Sequence, residues 1–364
     1  MFEPRDPAYP ELKKTHTAAR VGRPWTDYKP PPAAPVWGVI EGLGRYHTLC
    51  AALELGVFDA IERIGPCDAA GLSAELDVSA THLEALVDAV VVMGLLDRVH
   101  GRYELNDTTR RYLVTDGPAS MASLVPVAPG PHENWGRLAD TVRRGRPATP
   151  IEDDPAAFYV PLVEGTFTTT FRTASRADLK MRYSALRAPR VLDLGAGGAP
   201  WAIAVLSAVP DATAVVNDLP GVVGVAEAKL AEHGVADRAE VRAGDYFEIA
   251  IEDDAYDLVV LGHLCRAEPP VGARRLIDRA FRALRPEGRI VLSDYFVNAD
   301  ELGANPHAVL MGTTVMASTA AGRCHSHADI SGWLADAGFE AIRLIEPIGF
   351  QQAYVATKPT ADLH

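Results

Sequence analysis

The sequence predicts an α/β protein: a doubly wound, mainly parallel sheet closed by an antiparallel hairpin and preceded by a mainly helical, winged-helix unit. Three observations carry this. From Arg190 onward, short apolar runs alternate with helical stretches, the rhythm of repeated β-α units. The first such run, Val191–Leu194, passes straight into Gly195-Ala-Gly197-Gly198 and then a helix. Upstream, two short helical patterns are followed by a hairpin pattern, the order of a winged helix.

Residues 1–35 are rich in proline and charge, end in Lys29-Pro-Pro-Pro-Ala-Ala-Pro35, and read as an irregular arm. Residues 36–115 form the winged unit. Trp37 to Ile64 carries Leu43, Leu49, Leu53, Val57, Phe58 and Ile61 at helical spacing. Asp68 is placed to cap the short helix that follows, and Asp77-Val-Ser makes a turn. Thr81–Met93 is a second helix stopped by Gly94, and Leu95–Leu105 a hairpin turning at His100-Gly101. Residues 116–188 read as a helical connector with a loop from Pro147 to Pro155 and one or two helices from Phe158 to Tyr183. In the last segment, 189–364, strands are expected at Val191–Leu194, Ala214–Asp218, Ala239–Ala243, Tyr256–Leu261 and Arg289–Ser293. Helices are expected at Trp201–Val209, Val222–His233 and Val271–Leu284. A looser region follows Asp294, then a helix near Asp329–Ala337 and a closing pair of strands, Ala341–Glu346 and Gln352–Thr357.

Composition narrows the function. A chain of 364 residues with 48% apolar and 23% charged residues can bury a sizeable core. A net charge of −13 argues against nucleic acid as partner, because phosphate binding needs a basic surface. The helix where a winged unit would read DNA, Thr81-His-Leu-Glu-Ala-Leu-Val-Asp, carries two acids and no Arg or Lys. Cys50, Cys67, Cys265 and Cys324 form no CxxC pair, so neither a disulfide framework nor a zinc knuckle is expected. No apolar run reaches membrane-spanning length, and the N-terminus lacks a signal-peptide layout, so the expectation is a cytoplasmic protein without membrane partners.

In an open α/β sheet, ligands sit beyond the carboxyl ends of the strands where strand order reverses. The pattern Asp193-x-Gly195-x-Gly197 stands at such an end, and the helix after it offers free N–H groups. Dinucleotides and S-adenosyl-L-methionine both use a Rossmann-like turn of this kind. Asp218, ending the second strand before Leu219-Pro, can accept both ribose hydroxyls. Asp245, after Gly244, can accept from an adenine amino group, with Tyr246 or Phe247 stacking beside it. A dinucleotide site usually wants a third glycine for the pyrophosphate, and that place is taken by Ala199.

The set Asp193-Leu-Gly-Ala-Gly, Asp218-Leu-Pro, Gly244-Asp-Tyr-Phe and Leu284-Arg-Pro-Glu-Gly-Arg-Ile-Val-Leu resembles the class I methyltransferases. More narrowly, it resembles the small-molecule O-methyltransferases of plant phenolic and bacterial polyketide metabolism, across residues 40 to 358. The resemblance implies S-adenosyl-L-methionine as cofactor, a small-molecule acceptor and a homodimer formed through the winged unit. It also implies that Gly195 and Gly197 approach the methionine part, Asp218 the ribose and Asp245 the adenine. Trp135 and His132 fall in a region that borders the acceptor pocket in that family.

The resemblance breaks at one position. The family places its catalytic histidine just after the fourth strand. Here that stretch is Leu261-Gly-His263-Leu-Cys-Arg266-Ala-Glu268-Pro-Pro, and the base position falls on Arg266. Arginine stays protonated at neutral pH and cannot act as base. Several readings stand side by side. His263 serves as base or orienter, or supports the cofactor. Arg266 clamps an acidic group of the acceptor, or pairs with Glu268 at the surface. His325 and His327 join His263 on a metal, or Ser326-x-x-Asp329 is a capping box that merely starts a helix; the latter is preferred, and no metal is expected. Alternatively, positioning alone suffices, since methyl transfer is an in-line displacement. Asp294, ending the fifth strand, lies in the family near the catalytic histidine. The expected activity is methyl transfer to O or C of a secondary metabolite. The alternative is a family member that binds the cofactor for hydroxylation, decarboxylation or pericyclic chemistry.

Overall fold

The computed structural model describes residues 33–348 and 351–360. The arm read over residues 1–35 therefore lies outside the described residues except for its last three, of which Ala34 and Pro35 already open the first helix. The chain divides after Ala51 into two units. The first holds most of α1, Ala34–Glu54, which exposes Val36, Trp37, Val39, Ile40 and Leu43.

The second unit begins with α2 (Val57–Ile64), α3 (Ala69–Leu76) and α4 (Ala80–Val92), then the hairpin β1 (Asp97–Val99) and β2 (Arg102–Glu104). The helical spacing read from Trp37 to Ile64 is divided between two helices at Leu55-Gly56, where Gly56 takes the left-handed conformation at φ 71°. Asp68 caps α3 by accepting from the Gly71 N–H at 2.8 Å. The hairpin turns at His100 and Gly101, φ 50° and 80°, and pairs Val99 with Arg102. Three short helices follow, α5 (Asp107–Tyr112), α6 (His132–Trp135) and α7 (Leu138–Arg144). Next comes α8, Pro155–Met181, one 27-residue helix that tolerates Pro161 in its interior.

The sheet then builds as β3 (Arg190–Leu194), α9 (Pro200–Ala208), β4 (Thr213–Asp218), α10 (Val223–Glu232), β5 (Ala239–Ala243), β6 (Tyr256–Gly262), α11 (Pro270–Ala283) and β7 (Leu284–Asp294). After β7 comes α12, Pro306–Ser318, in the region expected to be loose. Its start is set by Asn305, which accepts from the Ala308 N–H, and by Pro306 in the first turn. Its Gly312, Thr313 and Thr314 dilute the apolar pattern, which hides it from periodicity. The chain closes with α13 (His327–Asp336), β8 (Glu340–Ile348) and β9 (Gln351–Thr357).

The strand order is β5-β4-β3-β6-β7-β9-β8. The first five run parallel, and β9 and β8 add an antiparallel hairpin. Strand order reverses between β3 and β6, where Leu194 pairs with Leu261. Alternation divides the core. Val191, Val216, Leu258 and Val260 face α8, α9 and α10. Leu192, Leu194, Val259 and Leu261 face α11 and α13. The glycine turn and the loop after β6 thus emerge side by side at the carboxyl edge.

Candidate active site

The turn after β3 requires glycine at two positions. Gly195 and Gly197 lie at φ 58° and 59°. A Cβ on Gly195 would come within 2.7 Å of Leu264, and one on Gly197 within 2.8 Å of Val163. The Ala196 N–H donates to the Asn217 carbonyl at 2.9 Å, tying the turn to the end of β4. Asp218 completes the tie: one carboxylate oxygen accepts from the Gly197 N–H at 2.6 Å and the other from the Leu219 N–H at 2.7 Å. Burial pushes its pKa up while these two bonds pull it down. Each oxygen keeps a lone pair for a further donor, so the group suits a ribose diol.

Asp193 does not face this opening. It is fully buried, accepts from the Ala202 N–H of α9 at 3.1 Å, and desolvation raises its pKa to about 7. It joins strand to helix and thereby holds the turn between them. Beyond β5, the Gly244 N–H donates to the Asp218 carbonyl at 2.9 Å. Asp245 is exposed and accepts from the Phe247 N–H at 2.6 Å. The Tyr246 hydroxyl donates to Glu268, and Tyr246 and Phe247 stand edge to face at 4.8 Å. A left-handed glycine turn, a held carboxylate, and an exposed carboxylate beside two aromatic rings fit S-adenosylmethionine. Bound there, it would meet Gly195, Gly197, Asp218, Asp245 and the Tyr246–Phe247 pair.

At the end of β6, His263 adopts a left-handed backbone, φ 59°, with its N–H on the Ser293 carbonyl at 2.7 Å. Its Nδ1 is buried, makes no hydrogen bond among the described residues, and lies 3.7 Å from Asp294 Oδ1. Burial lowers the ring's pKa, Asp294 partly offsets that, and Arg266 lowers it further. Burial thus favours the neutral form of the ring.

Arg266 does not pair with Glu268 at the surface, the partner that sequence proximity suggests. Its Nη1 donates to Asp294 Oδ1 at 3.0 Å and its backbone N–H to Oδ2 at 3.1 Å. Glu268 is engaged by Tyr246 instead. Asp294 also accepts from the Tyr295 N–H at 2.9 Å. Burial pushes the Asp294 carboxyl up, but Arg266 and His263 outweigh it and hold it well below the usual carboxylate range. Around this pair stand aromatic rings: Tyr295 lies 5.2 Å from His263, 5.0 Å from His307 and 5.4 Å under the Arg266 guanidinium.

His325 and His327 are held by separate partners. His325 Nε2 donates to the Cys265 carbonyl at 2.9 Å, and its ring meets Trp333. His327 Nδ1 lies 3.0 Å from the Tyr354 hydroxyl. Ser326 and Asp329 form the reciprocal capping box that starts α13. Trp135 Nε1 donates to the Pro129 carbonyl at 2.8 Å, and His132 Nε2 lies 3.2 Å from the Pro126 carbonyl. Their loop packs on α12 where Gly130 abuts Ser318.

Sequence reasoning missed the wall opposite the turn. From α8, Ala156 sits against Gly221, Val163 against Gly197 and Phe167 against Gly198. Tyr159 occupies the same helix face. The spacing of these residues is legible in the sequence, but what they pack against is not.

The profile of an O-methyltransferase domain matches residues 163–340, and that of an O-methyltransferase dimerisation domain matches residues 37–115. A 3-hydroxy-5-methyl-1-naphthoate 3-O-methyltransferase of Streptomyces sahachiroi is 28% identical over 319 residues, covering 84% of this chain and 88% of its own. Acetylserotonin O-methyltransferase of Mus musculus is 30% identical over 350 residues, covering 87% and 86%. The solved complex of human N-acetylserotonin methyltransferase with S-adenosylmethionine matches at TM-score 0.74 and 23% identity, over 99% of this chain and 100% of that one. With the turn, the two carboxylates and the fold in agreement, the chain belongs to the family of S-adenosylmethionine-dependent small-molecule O-methyltransferases.

Proposed function

We propose that this enzyme methylates a hydroxyl of a small planar aromatic metabolite, with His263 as the base and Asp294 behind it. The observation that carries this is the buried His263 ring set 3.7 Å from the Asp294 carboxylate, which Arg266 binds from its other side at 3.0 Å. Bound S-adenosylmethionine supplies an electrophilic methyl group. His263 Nε2 is the ring nitrogen left open to an acceptor, because Nδ1 is buried on the Asp294 side. As the acceptor hydroxyl gives its proton to Nε2, the new imidazolium is stabilised by Asp294. Arg266 at the usual base position then has a supporting task, keeping Asp294 charged and in place. The rings of Tyr295 and His307, 5.0 Å apart and inclined at 60°, give the acceptor an angled aromatic wall. The hydroxynaphthoate named for the Streptomyces relative is the kind of acceptor this wall suits. We assign dimer formation to residues 36–115, the acceptor side to 116–188 together with α12, and the cofactor to 189–364.

The test is a pH–rate profile of wild type and His263→Ala with 3-hydroxy-5-methyl-1-naphthoate. His263→Ala lowers kcat by about 10²- to 10⁴-fold and removes the acid limb, while calorimetric affinity for S-adenosylmethionine is retained. In the wild type that limb falls below the usual histidine value of about 6.5, because burial lowers the pKa. An unchanged rate in His263→Ala sinks the base assignment. As a check on the pocket itself, Asp218→Ala weakens the cofactor by at least about tenfold.

A further inference from the structure

Helix α8 forms a wall of the site. Its Ala156, Val163 and Phe167 press on the loops that hold Gly221, Gly197 and Gly198, with virtual Cβ distances of 2.8, 2.8 and 3.0 Å. Residues 156, 159, 163 and 167 follow helical spacings of three and four, so Tyr159 faces the same way between Ala156 and Val163. A second set of bonds brings the acceptor side up to it. Glu152, just before α8, accepts from the Ala320 N–H with both oxygens at 3.1 Å, and three residues later the Arg323 N–H donates to the Arg266 carbonyl at 2.9 Å.

The Tyr159 hydroxyl thus lies under the influence of Arg266, Glu152, Asp218 and Glu268, with Arg266 the strongest of the four. Among the described residues it makes no hydrogen bond, and its ring contact is with Phe158 at 5.1 Å. Burial raises its pKa to about 12, so the phenol keeps its proton and acts as a donor. A half-buried hydroxyl with no protein partner beside a ligand site is free to donate to a ligand that displaces water from it.

We infer that Tyr159 holds the acceptor, donating its hydroxyl hydrogen to the acceptor oxygen that receives the methyl group. Resting on the His263 assignment above, this divides the work on that oxygen. His263 takes the proton from one side, and Tyr159 fixes the direction of the remaining lone pairs from the other. No atom of Tyr159 is transferred.

The experiment compares wild type, Tyr159→Phe and His263→Ala, using 3-hydroxy-5-methyl-1-naphthoate as probe acceptor. Its binding is measured by calorimetry on enzyme saturated with S-adenosylhomocysteine, alongside KM, kcat and affinity for S-adenosylmethionine. Tyr159→Phe keeps the ring and the packing, so it is expected to leave cofactor affinity within about twofold while weakening probe binding and raising KM by about fivefold to tenfold. Wild-type probe affinity in Tyr159→Phe overturns the inference, as does a loss confined to the cofactor. Failure of the wild type to bind the probe overturns it as well. An unaffected kcat in His263→Ala together with a raised KM in Tyr159→Phe removes the base assignment and leaves Tyr159 standing.

Discussion

At Asp294, two donors from Arg266 and one from the Tyr295 backbone converge on a carboxylate that is 2% exposed. Such a cluster is stable only while both charges are present, because removing one leaves the other buried without a partner. Asp294→Asn is therefore expected to destabilise the fold by about 3 kcal/mol at neutral pH, measured by urea denaturation. The sign with pH follows from the depressed carboxyl. A group whose folded pKa lies below its unfolded value of about 3.9 contributes stability above that value and loses it as pH falls through the folded one. The gap between wild type and Asp294→Asn should thus be constant from pH 8 to 5 and shrink below about pH 4. A gap that does not shrink at all between pH 5 and pH 3 would show that the carboxylate's charge is not what matters.

At the scale of elements, the glycine turn and α8 form one construction. The turn needs left-handed backbone at Gly197, and Val163 on α8 closes the space a side chain would need. Gly197→Ala is expected to cost about 1–3 kcal/mol and to weaken the cofactor. Adding Val163→Ala relieves the collision but not the left-handed strain, so the double variant should recover about 1 kcal/mol relative to the sum of the singles. Strict additivity in a double-mutant cycle would mean that α8 does not brace the turn. The same construction explains Asp193, which bonds Ala202 on α9 and so fixes the turn from below.

For the whole molecule, α1 bears on assembly. It carries Trp37, Ile40 and Leu43 along one exposed stripe within the segment matched by the dimerisation profile, with Val36 just before it. An exposed apolar stripe of this kind marks an interaction surface. Wild type should sediment at twice the monomer mass, and replacing Ile40 and Leu43 with Glu should shift it toward monomer. A wild-type monomer by sedimentation would overturn the dimer. Among the described residues no helix is long and apolar enough to cross a membrane.

Strands β3 to β6, the hairpin at His100-Gly101, the Asp68 cap and the Ser326–Asp329 box were all legible from sequence, because each follows from local periodicity, left-handed glycine or side-chain capping. The cofactor class was legible for a related reason: Gly195, Gly197, Asp218 and Asp245 lie at strand ends, and a doubly wound sheet brings its strand ends to one edge. Helix α12 was not, since Gly312 and the two threonines blur its period and packing on the 130s loop supports it instead. Nor was the Arg266 pairing. Glu268 is two residues away in sequence and Asp294 twenty-eight, yet β6 and β7 are adjacent parallel strands whose ends share one loop space. The glycine turn, its two carboxylates and the sheet that presents them are thus written in the local chain. The partner of Arg266, the burial that lowers the pKa of His263 and the placing of Tyr159 were settled only when distant segments packed, because burial and charge pairing are properties of neighbours in space.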